Sequence, residues 1–340
     1  MPAQRKTRAG PAGRSRIAKR ARKRTGVKTA VRRPTRSARR KRGPAVDVDG
    51  VELSSPDRVV YPEIGLTKLE LARYYEAVAD WMLPHLANRP LTLIRCPDDW
   101  HTCFYQKHID ENRVYHAVKP VRIREESGMA TYAAVDDARG LLSLVQIGTV
   151  EFHTWGARID RLEQPDRFTL DLDPGPGVEW KRVVQAARAL RAVLEDLGLR
   201  SFVKTTGGKG LHVVVPFRRG PGWDEVKEFT RAVASLLVEA APDEYTISVA
   251  KAKRHGKILI DYLRNARGSI AVAAYSARAR SGAPASTPVY WDELTTGLKP
   301  ERFNVRSLPN RMKKLGKDPW QELLETRQSI TASMKRKLGL

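Results

Sequence analysis

Cysteine is scarce in this sequence: Cys96 and Cys103 are the only two in 340 residues. Two cysteines are too few for a disulfide framework, and the six residues between them do not fit the paired spacing of a zinc knuckle. We therefore expect both side chains to be free thiols in a reducing compartment.

Long hydrophobic runs are also missing. No stretch approaches the roughly 20 consecutive apolar residues of a membrane helix, and the N-terminus lacks the apolar core of a signal peptide. We expect a soluble, cytoplasmic protein without a membrane partner. The 41% hydrophobic content is enough for a sizeable core, and a chain of this length can form one large domain or two small ones.

Acidic residues are absent from positions 1–43, which hold 18 of the 62 Lys and Arg residues and leave a net charge of only +6 to the rest of the chain. This segment has few large apolar side chains, so we predict a disordered tail over residues 1–45. Dense positive charge attracts polyanions by counterion release, which favours DNA or RNA as the partner. A simple linker or solubilising tail remains the alternative.

The composition becomes globular near Val51. Apolar residues recur every three or four positions over 67–83, which predicts an amphipathic helix with Thr67 as its N-cap. Several short apolar segments follow and are typical of strands or buried segments in an α+β protein. They cover residues 90–94, 103–106, 121–124 and 142–147.

The pattern is clearest from residue 167 onwards. Residues 167–173 alternate like a strand and stop at a Pro-Gly-Pro-Gly turn. The apolar stripe over 183–197 predicts a helix after that turn. Further along, we predict two strands around a Gly-rich turn, a helix and a last strand. Their respective residues are 202–204, 211–215, 224–240 and 257–262.

Asp171 and Asp173 are two positions apart in the predicted strand 167–173, so their carboxylates project from the same face and can share one divalent cation. An isolated Asp-x-Asp more often marks a solvated strand end. Here a hydrophobic strand precedes it, and two carboxylates at the end of a buried strand repel each other unless a cation is present. The pattern favours a metal site.

Asp261 ends another apolar run and is the third candidate ligand. If its strand lies beside that of Asp171 and Asp173, three carboxylates can hold two divalent cations roughly 4 Å apart, the arrangement used in phosphoryl and nucleotidyl transfer. An Asp261 that is merely ion-paired with Arg264 is the open alternative.

The Gly-rich segment 204–212 contains three glycines within four positions. Glycines permit close backbone approach, so the amide groups can cradle phosphate oxygens, with Thr206, Lys209 and His212 as additional donors. The spacing does not match a Walker A loop. A hairpin without a binding role, with His212 as a core histidine, is the alternative.

Three motifs in this order resemble one family: Leu-Asp-Leu-Asp-Pro-Gly-Pro-Gly177, Lys-Thr-Thr-Gly-Gly-Lys-Gly-Leu-His212 and Ile-Asp-Tyr-Leu-Arg-Asn-Ala-Arg-Gly268. The chain is similar to the polymerase domain of bacterial DNA ligase D, a member of the archaeo-eukaryotic primase superfamily, over roughly residues 52–320. The resemblance implies an α+β fold: a primase-like core with a mixed or antiparallel central sheet flanked by helices. It implies a domain over 46–335, comprising an N-terminal α/β subregion (50–160), a catalytic core (161–300) and a C-terminal helical segment (301–335).

The resemblance also implies roles for individual residues. The metal ligands and catalytic residues would be Asp171, Asp173 and Asp261. Nucleotide-binding residues would be Thr206, Gly207, Lys209, His212, Arg264 and Arg278. Contacts to DNA would come from Arg58, Lys68, Phe104, Lys107, His153 and Arg254.

Two departures from the family pattern affect these expectations. The family usually has Ser at the position of Thr206, which retains the hydroxyl. Arg58 and Lys68 match a pair of lysines that grip a 5′-phosphate across a gap, and an arginine binds phosphate as a bidentate fork, whereas lysine acts as a point charge.

The implied activity is template-directed addition of nucleotides at gapped or broken DNA ends during non-homologous end joining, often with a preference for ribonucleotides. The implied cofactors are two divalent cations, commonly Mn²⁺ or else Mg²⁺. Ku and a DNA ligase would be partners, in a nucleoid-associated setting. The 340 residues contain no Lys-x-Asp-Gly ligase motif. The alternatives are a two-metal phosphodiesterase or nuclease, and a catalytically silent module that binds DNA ends.

Overall fold

The computed structural model describes residues 44–110 and 116–340. The predicted disorder of the tail lies outside the described residues, apart from its last two positions. The helices are α1 (Lys68–Leu86), α2 (Ala138–Gln146), α3 (Trp180–Asp196), α4 (Trp223–Ala240), α5 (Leu308–Leu315), α6 (Gln321–Glu325) and α7 (Ala332–Lys337). Within the described ranges, no helix has the length and apolar character needed to span a bilayer.

The strands divide between two larger sheets and two small ribbons. They are β1 (Val46–Val48), β2 (Val51–Leu53), β3 (Val59–Tyr61), β4 (Leu66–Thr67), β5 (Leu91–Arg95), β6 (Phe104–Gln106), β7 (Lys119–Glu125), β8 (Gly128–Ala134), β9 (Thr149–Trp155), β10 (Arg167–Pro174), β11 (Phe202–Thr205), β12 (Leu211–Pro216), β13 (Tyr245–Thr246), β14 (Ile258–Asp261), β15 (Ile270–Val272) and β16 (Pro288–Val289).

One sheet has the strand order β13-β14-β10-β12-β11-β16. Its first pair is parallel and the others are antiparallel, so the sheet is mixed. Leu170 and Leu172 of β10 are buried in one hydrophobic cluster with residues of α3 and α4. Because side chains alternate along a strand, Asp171 and Asp173 lie on the opposite face from these helices.

The other sheet has the order β15-β9-β5-β8-β7, with β6 paired to β5. Residues of α1 and α2 share its hydrophobic cluster. Strand β15 comes late in the chain, yet it pairs with β9, for example Val272 with His153. A segment that follows the carboxylates in sequence therefore completes the sheet built mainly from earlier residues.

The predicted fold class is confirmed. The helix predicted over 67–83 is present as α1, and Thr67 caps it in a reciprocal arrangement with Glu70: the Glu70 amide donates to Thr67 Oγ1 and the Thr67 amide donates to the Glu70 carboxylate. The four core segments predicted between 167 and 215, together with the helix over 224–240 and the strand over 257–262, are present within a few residues of their predicted bounds.

Residues 142–147 were predicted to form a strand or a buried segment. The strand is wrong, because most of this run belongs to α2 and is buried as a helix. Asp137 caps this helix by accepting a 2.8 Å hydrogen bond from the Gly140 amide. Leu141, Leu142 and Leu144 are fully buried. A short apolar run has the same appearance in a buried strand and in a buried helix.

The expectation of two free thiols is also wrong: Cys96 and Cys103 form a disulfide, with their Cα atoms 4.2 Å apart. The reason is a hairpin. Arg95 at the end of β5 pairs with Phe104 at the start of β6, so the residues just beyond this pair are brought side by side.

Candidate active site

A row of polar side chains crosses four adjacent strands on the helix-free face of the mixed sheet. Asp171 is the register partner of Asp261 on one side and of His212 on the other. His212 is in turn the partner of Lys204. Two carboxylates therefore lie directly beside two basic side chains, a result of strand pairing between residues up to 90 positions apart.

Arg264 joins the two carboxylates of the row. Its Nη2 lies 3.1 Å from Asp171 Oδ2, and its Nε lies 3.2 Å from Asp261 Oδ2. Burial would raise the pKa of Asp171, but His212, with Nε2 3.5 Å from Oδ1, and Arg264 hold it well below its usual range. The pKa of Asp261 is instead raised, by burial and by the neighbouring Asp171 and Asp173. The site therefore holds more negative charge than its arginine neutralises.

Asp173 completes the carboxylate set but lies half exposed, and Arg254 donates a hydrogen bond to it. Across residues 44–110 and 116–340, no group of three or more His, Cys, Asp or Glu is arranged as a formed metal site. Arg254 and Arg264 pair with these carboxylates and balance the charge that bound cations would otherwise balance. The donor set itself fits Mg²⁺ or Mn²⁺, because these hard cations prefer carboxylate oxygens. Burial, together with the neighbouring Asp171 and Asp173, raises the pKa of Asp261, and a bound cation would offset both effects.

The Gly-rich turn between β11 and β12 is packed against Arg278. Gly207 has φ +67°, and a Cβ at this position would lie 2.6 Å from Arg278 Cγ, so both its conformation and its surroundings require glycine. Arg278 donates to the carbonyl of Thr206, whose hydroxyl lies 3.2 Å from Gly210 O. The Arg278 guanidinium thus lies against the base of this turn.

Glu151 on the other sheet fixes two of the predicted site residues. One of its oxygens accepts from Arg278 Nε at 2.8 Å and lies 2.9 Å from His153 Nε2; the other accepts from the Ala279 amide at 2.7 Å. Burial opposes ionisation, yet His153 and Arg278 lower the pKa of Glu151 to about 2. Glu151 is therefore an ionised anchor under the site.

These groups surround a cavity of about 240 Å³ between the two sheets. It brings together most of the predicted site residues, and β15 supplies its apolar side. Asp261 lies at the edge of this group, joined to it through Arg264. The polar lining residues are Tyr105, His153, Asp171, Asp173, Thr206, Lys209, His212, Arg264, Arg278 and Arg280.

Four residues of this region were not among the predicted site residues: Tyr105, Glu151, Lys204 and Arg280. Lys204 is buried, donates to Ser286 Oγ at 2.6 Å, and has its pKa lowered strongly by burial and by Arg278. Lys204 and Glu151 could have been identified from the sequence, because side chains two positions apart on a strand share a face. Lys204 is two positions before Thr206, and Glu151 is two positions before His153.

The six predicted DNA contacts fall in separate places. His153 and Arg254 lie at the carboxylate site. Phe104 is 46% exposed with Arg95 over its ring, and Lys107 pairs with Glu125 at 3.0 Å.

The remaining two, Arg58 and Lys68, line one cavity of about 960 Å³. Arg58 donates to the carbonyls of Cys96 and Asp98, at 3.1 and 3.0 Å. Lys68 is buried and donates to the carbonyl of Ser54 at 2.8 Å. Two cationic side chains thus line one cavity, which, within the described part of the chain, shares no lining residue with the carboxylate cavity.

A family model described as the primase-polymerase domain of LigD matches residues 67–320. The chain is 42% identical over 323 residues to the multifunctional non-homologous end joining protein LigD of Pseudomonas aeruginosa, covering 94% of this chain and 38% of that protein. It is 28% identical over 267 residues to the bifunctional non-homologous end joining protein LigD of Bacillus subtilis, covering 78% and 43%. The chain spans less than half the length of these curated relatives.

Among solved structures, the polymerase domain of Mycobacterium tuberculosis ligase D in complex with DNA superposes with a TM-score of 0.76. The two chains are 30% identical, and the match covers 81% of this chain and 98% of the other. The family match over residues 67–320 includes every strand of the two larger sheets.

Proposed function

The chain belongs to the LigD primase-polymerase family, and from that membership we propose that it is a template-directed nucleotidyltransferase that fills gaps and extends ends at DNA double-strand breaks. The observation that carries the proposal is the row across the mixed sheet, in which Asp261 and Asp171 lie beside His212 and Lys204. Carboxylates suited to cations are thereby next to donors suited to phosphates, as transfer of a nucleotide from a triphosphate requires.

The triphosphate occupies the cavity beside the Gly-rich turn in this proposal. Lys209 and Arg278 supply positive charge there, and Thr206 with the turn amides supplies hydrogen-bond donors. Glu151 keeps the Arg278 guanidinium in place through its 2.8 Å hydrogen bond. His212, whose pKa burial and Lys204 lower to about 4, is neutral at pH 7 and can donate or accept one hydrogen bond.

Asp171, Asp173 and Asp261 are the residues that would hold two divalent cations, Mn²⁺ or Mg²⁺. When bound, such cations neutralise the triphosphate and lower the pKa of an attacking hydroxyl. Arg264 and Arg254 balance the same carboxylates in the chain alone. Both arginines would have to release these carboxylates for the cations to bind there.

The DNA end is bound by residues outside this cavity. Arg58 and Lys68 share a cavity wide enough for a 5′-phosphate, and a guanidinium and an ammonium together suit its charge. Phe104, nearly half exposed on β6, offers a face for a base. Lys107 lies on the same segment and contacts the DNA backbone once it leaves Glu125.

The relatives named as end joining proteins favour the same pathway for this chain. Ku and a DNA ligase are then its partners at the break, in the cytoplasm on nucleoid DNA. The basic tail over 1–43 adds sequence-independent affinity for that DNA.

The test uses a gapped, 5′-phosphorylated duplex with manganese and labelled nucleoside triphosphates. We expect template-dependent extension by the chain and none by the Asp171→Ala/Asp173→Ala variant, with DNA binding retained in both. If neither protein extends the primer while both bind DNA, the chain is an end-binding module. Release of nucleotides without any triphosphate would instead identify a nuclease.

A further inference from the structure

A second basic cavity lies at the other end of β10 from the carboxylates. Its volume is about 440 Å³, and six arginines line it: Arg89, Arg158, Arg167, Arg218, Arg219 and Arg327. Arg167 and Asp171 are four positions apart on β10, which separates them by roughly 13 Å. The two cavities therefore have different walls and different openings.

The positive charge of this cavity is only partly neutralised. Asp166 is the one acidic residue among its lining, and it accepts two hydrogen bonds from Arg89, at 2.7 and 2.8 Å, and one from Arg158 at 2.9 Å. Arg219 pairs with Asp160 at 2.5 Å. Asp166 and Asp160 are therefore already paired with Arg89, Arg158 and Arg219.

Arg167 is left without a carboxylate within ion-pairing distance among the described residues. Its hydrogen-bond acceptors are neutral: Thr154 Oγ1 at 2.6 Å and the carbonyl of His85 at 3.5 Å. Burial and the nearby Arg89 lower the pKa of Arg167 well below its ordinary value. Asp166 favours the charged form of Arg167, but it lies beyond ion-pairing distance and accepts its hydrogen bonds from Arg89 and Arg158, so it compensates the Arg167 charge only in part. An anion in the cavity would complete that compensation.

Arg218 and Arg327 are exposed at the same cavity. The Arg327 guanidinium donates to the neutral carbonyls of Leu324 and Thr326, so its charge is also available. Guanidinium groups bind phosphate oxygens as bidentate forks. Several of them around one concave site suit a compact ligand with more than one negative charge.

We propose that this cavity is a second phosphate-binding site, which takes a small polyphosphate such as pyrophosphate or the triphosphate group of a nucleotide. The surplus charge argues for a polyanion rather than a single carboxylate, and about 440 Å³ is the size of a small-molecule pocket. Phe217 and Leu323 close part of its wall with apolar surface, which strengthens ion pairs within it.

The experiment titrates pyrophosphate into the protein by calorimetry in the absence of divalent metal. It compares Arg218→Ala/Arg327→Ala with Arg231→Ala/Arg302→Ala, which removes two exposed arginines elsewhere. Because pyrophosphate can also bind at the Gly-rich turn, each pair is repeated in a Lys209→Ala background. We expect about tenfold weaker binding in the first variant, since charged hydrogen bonds are lost, and unchanged binding in the control.

A local readout separates the two cavities. An arginine-selective reagent, followed by peptide mass analysis, reports whether pyrophosphate protects Arg218 and Arg327. Protection by pyrophosphate supports the proposal. Protection by a 5′-phosphorylated oligonucleotide but not by pyrophosphate would assign the cavity to DNA and overturn it, as would no protection by either. Nucleotide addition by the Arg218→Ala/Arg327→Ala variant remains at the wild-type level, so a failure here is distinct from a failure of the polymerase proposal.

Discussion

Asp171 and Asp261 are direct partners across β10 and β14, and one guanidinium, that of Arg264, contacts both. The two carboxylates nevertheless differ: the pKa of Asp171 is lowered, and that of Asp261 is raised. His212 is the cause of much of this difference, because it adjoins Asp171 on the side away from Asp261. Removing the charge of Asp171 should therefore destabilise the fold, whereas removing the charge of Asp261 should not. Either change should abolish catalysis.

We expect Asp171→Asn to lower the free energy of unfolding by about 1–3 kcal/mol, because it removes a stabilised buried charge. Asp261→Asn should leave it unchanged or raise it, because ionised Asp261 is unfavourable in the fold. Urea unfolding in the presence of a chelator measures both. Neither variant should add nucleotides. Equal destabilisation by the two substitutions would contradict the difference in their surroundings.

Glu151→Gln tests the anchor under the site. The lost charge loosens Arg278 and His153, so we expect the KM for nucleoside triphosphate to rise about tenfold, the size of one charged hydrogen bond. Extension assays over a range of triphosphate concentrations measure it. Glu126→Gln, which removes an exposed carboxylate in the β7–β8 turn, is the matched control. An unchanged KM would remove Glu151 from the binding machinery.

The same residue predicts a pH dependence of stability. The pKa of Glu151 is about 2 in the fold, below the value of about 4.3 for an unfolded chain. Its ionisation therefore stabilises the fold above about pH 4.3, and this contribution, on the order of 3 kcal/mol, is lost as the pH falls towards 2. Unfolding of wild type and Glu151→Gln should differ most at neutral pH and converge in acid. A constant difference across that range would refute the assignment.

The sequence predicted local features well. Alternation placed Asp171 and Asp173 on one face of a strand, and Thr67 marked the start of α1. We could not predict which distant segments pair, because a single sequence does not show the register between strands. The contact of Asp261 with Asp171 and the hydrogen bond of Glu151 with Arg278 depend on such pairings, whereas the disulfide of Cys96 depends on the register of the local β5–β6 hairpin. Metal ligation and DNA contact remain predictions for these residues.

Arg58 and Lys68 should respond differently to substitution, although both line the cavity proposed for a 5′-phosphate. Arg58→Ala should reduce the preference for a 5′-phosphate over a 5′-hydroxyl about tenfold with little change in stability, because its partners are neutral backbone carbonyls. Lys68→Met should reduce the preference and also destabilise the protein, since its buried ammonium donates to Ser54 and Gln146.

Binding of gapped duplexes with either end chemistry, together with thermal unfolding, measures both effects. Arg73→Ala on the exposed side of α1 is the control, because its partner is Glu76 on the same helix. The expected result is a preference for the 5′-phosphorylated duplex about tenfold smaller in the Arg58→Ala variant than in wild type. A preference that survives both substitutions would place the phosphate elsewhere.

Gly175 should be intolerant of a side chain for reasons that concern the site directly. A Cβ there would lie 1.8 Å from the carbonyl oxygen of Arg254, and the Gly175 amide donates to Lys257 O at 2.9 Å. Backbone at such a distance has to move, so Gly175→Ala displaces the 251–257 segment and with it the Arg254 contact to Asp173. We expect a loss of about 1–3 kcal/mol in stability and reduced nucleotide addition. Gly220→Ala is the control, because nothing lies within 4 Å of a Cβ there. If thermal unfolding and extension assays find the two variants alike, the 251–257 segment does not depend on this close approach, and Arg254 holds its place beside Asp173 by other contacts.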